Sequence, residues 1–211
     1  GLLFLGFWLT RPPVVAVVLM VFAALIVIET FVDLDTFEIP DFVSIGGFFL
    51  GLVAAMGVPS LHLDILSGVA FIDGFRAFVV ALEGALMASG LILWIALVAE
   101  LVLRKEAMGF GDVKLMGAIG AFCGWEGAVF ALFGGAILGT LAVLLGFIWN
   151  RVAGQPAGES EAATEEADGE DETGTSVRVP FGPALGAAAL LYLLFFEPHV
   201  AAYFGQFDGL L

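Results

Sequence analysis

Residues 12–32 read PPVVAVVLMVFAALIVIETFV, and that stretch decides the fold. After Pro12 and Pro13 its only ionisable residue is Glu29. A helix of roughly 20 apolar residues, rising about 1.5 Å per residue, crosses the hydrocarbon core of a bilayer. Proline suits the first turn of a helix, where backbone N–H groups have no partner within the helix. The stretch therefore predicts a membrane-crossing helix.

The rest of the chain has the same character. Its 211 residues are 61% hydrophobic and 14% charged, with a mean hydropathy of +1.06. A soluble domain is about half apolar and about a quarter charged, so the composition excludes one. The expected fold class is all-α: a polytopic membrane helical bundle of about six transmembrane helices plus a partial N-terminal one. The partial helix is residues 1–9, and the full spans are about 12–32, 42–57, 70–103, 112–123, 127–150 and 184–197. Residues 1–211 read as one transmembrane domain, and a cytoplasmic domain upstream of residue 1 is expected to be absent from this chain.

The net charge of −15 is unevenly placed. Eight of the 22 acids fall in GESEAATEEADGEDETGT, residues 158–175. This low-complexity run cannot bury a core, so residues 152–178 are expected to form a disordered cytoplasmic loop. The seven bases are not clustered, which excludes a nucleic-acid partner. Traced along alternating spans, Arg104, Lys105, Lys114, Arg151 and Arg178 share one side, and Arg11 and Arg76 the other. The side richer in bases is cytoplasmic. The lone Cys123 reads as a small buried residue, and His62 and His199 as surface residues rather than metal ligands.

Two acids then stand out on that cytoplasmic side. Asp33 closes the first full span in ETFVDLDTFEIPD, and Asp112 opens the fourth in EAMGFGDVKLMGAIGAFCGW, residues 106–125. A carboxylate at a membrane boundary is costly when unpaired and is a functional hypothesis by default. Singly, each has a plainer reading: Asp33 marks a helix end, and Asp112 is an N-cap. As a pair they support hydrolysis. Gly109 and Gly111 let the backbone turn sharply and another backbone approach, presenting Asp112 at a helix start. Carboxylates roughly 3 Å apart cannot both ionise easily, so they share a proton. One then takes a proton from water while the other donates to a peptide carbonyl, which is aspartyl-protease chemistry.

DLDTFEIPD and KEAMGFGDVKLMGAIGAFCGW, with VPFGPAL at 179–185, resemble the type IV prepilin peptidases, membrane aspartyl proteases of the Gly-x-Gly-Asp class. The likeness covers about residues 12–195 in the family's motif order. It implies that Asp33 and Asp112 are the catalytic pair, with Asp35 the competing candidate in the first motif. Pro40 is expected to end local helix and turn the chain back, and Asp41 to cap the second span. Lys114 either holds a substrate carbonyl, balances the pair, or snorkels to set topology. Glu29, one helical turn before Asp33, is either a neighbour that tunes the pair or a residue of a water-accessible cleft. Glu100 can snorkel, and Glu83 has no physical account.

The resemblance also implies a substrate: a prepilin or pseudopilin with a basic leader on the cytoplasmic side of the inner membrane, followed by an apolar helix in the lipid bilayer. Proteolysis by such enzymes needs no cofactor and no metal. Many members also methylate the new N-terminus with S-adenosylmethionine and bind zinc through paired cysteines, but the single cysteine here does not support zinc. The rival readings are a polytopic transporter or channel, which predicts internal repeats and midplane acids, and a non-enzymatic assembly component of a pilus or secretion system.

Overall fold

The computed structural model describes residues 1–36, 38–63, 65–104, 109–152 and 181–204. The acidic segment from residue 153, Lys105, Arg178 and the first two residues of VPFGPAL lie outside the described residues. The helices are α1 (Leu2–Thr10), α2 (Pro13–Thr36), α3 (Asp41–Gly57), α4 (Ala70–Leu103), α5 (Phe110–Val152), α6 (Gly182–Leu191) and α7 (Glu197–Phe204). A short 3-10 turn, Pro59–Leu61, follows α3, and a π-helical turn, Tyr192–Phe196, joins α6 to α7.

The expected all-α class holds, and all six expected stretches are helical. Among the described residues, four continuous stretches are long and apolar enough to cross a membrane: Pro13–Thr36, Ala70–Leu103, Phe110–Trp149 and Gly182–Phe204. Asp41–Gly57 is a shorter apolar helix. The expected fourth and fifth spans are two arms of α5, meeting at Gly124 with φ 68° and ψ −179°. That backbone conformation is open to glycine and costly for any residue with a Cβ, so the break falls there.

The break reverses the chain. The first arm runs antiparallel to α4: Gly84 faces Gly120 so closely that a Cβ on either would strike the other's carbonyl oxygen. The second arm runs back along α6, with Gly135 against Leu185 and Gly139 near Phe181 and Ala184. Gly186 of α6 sits against Ile26 of α2, so α6 packs on both α2 and α5. Phe22 of α2 and Phe122 of α5 stack with centroids 4.4 Å apart. These contacts belong to the main core, which also holds Leu19, Ile26, Ile119 and Leu185. Large apolar side chains such as Phe71, Trp94 and Leu101 point outward from α4, as expected of a lipid-facing surface. Glu83 also faces outward from α4.

A helix end leaves carbonyls without partners inside the helix. Ala121 O would accept from residue 125 in an unbroken helix. Instead His62 Nε2 lies 3.0 Å from it and serves as its donor. His62 is thus not the surface residue expected from the sequence: burial holds its imidazole below the ordinary value, with the bond to Ala121 opposing that shift. His199 is exposed and Cys123 buried, as expected.

Candidate functional site

The helix directions bring Arg104, Lys114 and Arg151 to the end of the bundle that holds Asp33 and Asp112. Arg11 lies at the opposite end, where its guanidinium donates to Leu193 O at 2.8 Å and pairs with Glu197. Asp33 stands in the last turn of α2, and Asp112 is the third residue of α5.

Both acids are buried, Asp33 4% and Asp112 8% exposed, and close enough for their charges to interact. Asp112 is not the N-cap. Its backbone N–H donates to Gly109 O at 3.2 Å, so the turn begins earlier. Asp35, the competing candidate, is exposed on another face of α2. Two residues along a helix turn the side chain through about 200°, which separates neighbours this close in sequence.

Glu29 joins the two acids. It lies one turn before Asp33 on the same face, is 0% exposed, and interacts by charge with both Asp33 and Asp112. The sequence offered a water-accessible cleft as one reading for this residue; the bundle instead closes over it. The cover is the start of α6. The Gly182 amide lies beside the Asp33 carboxylate, and a Cβ on Gly182 would stand 2.8 Å from Asp33 Oδ2 and closer still to Glu29 Oε1. The first N–H groups of a helix and its partial positive end favour carboxylates placed there. Asp33 meets this at the start of α6, and Asp112 lies in the first turn of α5.

The supporting residues are arranged differently from expectation. Neither Gly109 nor Gly111 has a positive φ, so the turn there, closed by Asp112 N–H to Gly109 O, uses no glycine-only conformation. Gly111 is instead a close-approach position, since a Cβ would meet the Ile39 side chain at 3.2 Å. Pro40 does not end α2, which stops at Thr36; it is the extended N-cap residue of α3, with φ −66° and ψ 132°. Asp41 follows as the first residue of α3 and does not cap it. Its carboxylate accepts from Lys114 Nζ at 2.6 Å. Lys114, whose ammonium also lies 5.6 Å from the Phe110 ring centroid, therefore ties α3 to α5 beside the acids.

Sequence reasoning missed Gly182 and Gly186 as site residues. Their signal was the Gly-x-x-x-Gly spacing in GPALG, the small-residue pattern of close helix contact. Among the described residues no three His, Cys, Asp or Glu side chains are grouped to hold a metal ion. Two buried carboxylates within charge range, from helix ends far apart in sequence, can act as a paired general acid and base.

Known proteins resemble this chain. The chain is 27% identical over 180 residues to a prepilin leader peptidase/N-methyltransferase of Aeromonas hydrophila, covering 84% of this chain and 49% of that protein. It is 34% identical over 111 residues to a type 4 prepilin-like proteins leader peptide-processing enzyme of Escherichia coli O78:H11, covering 52% and 35%. It is 30% identical over 116 residues to a prepilin leader peptidase/N-methyltransferase of Escherichia coli K12, covering 54% and 44%. The chain thus spans about half the length, or less, of these relatives. No solved structure matches it significantly. A match to the type IV leader peptidase family covers residues 18–144, which include both Asp33 and Asp112. The chain belongs to the type IV leader peptidase family.

Proposed function

We propose that the chain is a membrane-embedded aspartyl endopeptidase that removes the basic leader from prepilins or pseudopilins. Asp33 and Asp112 are its catalytic pair. The observation that carries this reading is the meeting of these two acids, buried and within charge range, at one end of the bundle. Gly111, Gly109, Pro40, Asp41 and Lys114 support the site by seating the start of α5 against the start of α3. In the proposed reaction one carboxylate takes a proton from water, whose oxygen attacks the scissile carbonyl carbon. The other carboxyl gives its proton to the carbonyl oxygen. The tetrahedral intermediate then collapses, the C–N bond breaks, and the leaving amine takes up a proton.

The proposed location is the inner membrane, with the acid pair at the cytoplasmic face. Arg104, Lys114 and Arg151 at that end of the bundle support it. A basic leader would be drawn to a site whose neighbouring charges are mainly acidic. N-methyl transfer, named for the Aeromonas hydrophila protein, has no residue of this chain assigned to it and stands outside the proposal.

The test is cleavage of a prepilin by the full chain in lipid vesicles. Asp33→Asn and Asp112→Asn should each lower kcat by roughly 100- to 10,000-fold, with helical circular dichroism and gel-filtration profile unchanged. Full activity in either variant removes that residue from the pair.

A further inference from the structure

The reaction above gives Glu29 no task, yet the bundle is built around it. Its side chain is 0% exposed, and Oε1 has no hydrogen-bond partner among the described residues. Oε2 has only a long approach, 3.5 Å, from the Thr30 hydroxyl. That hydroxyl has one hydrogen and already donates it to Ile26 O at 2.8 Å. The charges that act on Glu29 are those of Asp33 and Asp112, both acids. From α6, Gly182 and Gly186 face it, and a Cβ on Gly186 would lie 3.6 Å from Oε2.

An ionised carboxylate can only accept hydrogen bonds, whereas a carboxyl that keeps its proton can donate one. Two ionised acids side by side, away from water and without a cation, would be strongly unfavourable. Asp33 Oδ2 is the other buried side-chain oxygen without a partner among the described residues. It borders the same point above Gly182 as Glu29 Oε1. A donor and an acceptor in these two places would satisfy each other.

We propose that Glu29 is a positioning residue for the acid pair: carrying a proton, it donates a hydrogen bond to Asp33 and fixes the direction in which the Asp33 carboxylate faces Asp112. This rests on the reading of Asp33 and Asp112 as the hydrolytic pair. Gly182 and Gly186 are the complement on α6, leaving room for the Glu29 side chain.

The test compares the full chain in lipid vesicles with Glu29→Gln and Glu29→Leu, by prepilin cleavage and by infrared difference spectra. Glutamine keeps a donor for Asp33 and should hold kcat within about threefold. Leucine has similar bulk and no donor; kcat should fall about 100-fold with KM unchanged, as expected of a misplaced catalytic group. A carbonyl band of a protonated carboxyl, additional to that of the acid pair, should vanish in Glu29→Gln and shift in Asp33→Asn. Wild-type kcat in Glu29→Leu, an equal fall in both variants, or a loss confined to KM overturns the proposal. If Glu29→Leu does not fold, the infrared band decides: its presence and shift support the proposal, and its absence overturns it. An unmodified chain that cleaves no prepilin refutes the peptidase reading, and the infrared coupling of Glu29 to Asp33 still decides this one.

Discussion

Gly182 has no side chain at the point where Glu29 and Asp33 come against α6. Alanine there would force its Cβ into both carboxylates. Overpacking of this kind costs about 1–3 kcal/mol, and displacing a catalytic carboxylate by a fraction of a residue's width costs about 100-fold in rate. Gly182→Ala should therefore lose activity far out of proportion to its fall in thermal midpoint, measured by cleavage and by unfolding of the same preparation. Asp35→Asn is the contrast. Its carboxylate is exposed on another face of α2, so cleavage should stay within about twofold, since surface substitutions rarely matter beyond about 0.5 kcal/mol. The acids themselves were readable as unusual charges in an apolar chain. The burial of Glu29 was not, because one helical turn of spacing tells which side a residue faces and not what covers that side.

At the scale of elements, α5 depends on its break. Gly124 holds a backbone conformation that costs other residues about 1–3 kcal/mol, and Gly124→Ala should lower stability by that amount, read as a drop in the thermal midpoint. His62 completes the break by donating to Ala121 O. The sign of its pH effect follows from its lowered value. The folded imidazole stays neutral where the unfolded one takes a proton, so the unfolded chain binds more protons as pH falls below about 6.5. The stability that neutral His62 contributes is complete above that pH and is lost on acidification. The midpoint should fall between about pH 7 and pH 5 in the unmodified chain, and fall less in His62→Gln. The sequence showed an interruption near Gly124 through the end of one apolar run. It gave no sign of His62, whose partner lies across a connection and a helix. The π-helical turn was equally hidden; there Arg11 donates to Leu193 O and pairs with Glu197.

At the scale of the whole molecule, α6 holds the acid-bearing helices in relation to each other, because it packs on α2 through Gly182 and Gly186 and on α5 through Leu185. The proposed orientation has a direct check. In a chain with Cys123→Ser, a single Asp35→Cys should react with a membrane-impermeant maleimide added on the cytoplasmic side and not on the other, since position 35 is exposed at the same end as the acid pair. Labelling from the opposite side alone would invert the proposed topology. By itself the sequence determined that the protein is a helical membrane bundle, where its helices run, and which acids were candidates. Hydrophobic length, proline placement and the cost of charge at a membrane boundary are local properties, written in consecutive residues. Only the tertiary structure decided that Asp112 is a first-turn acid rather than a cap, that Lys114 belongs to Asp41, and that a third carboxyl is sealed behind Asp33. Those facts depend on how closely helices distant in sequence approach, and the approach is set by glycines on one helix meeting side chains on another.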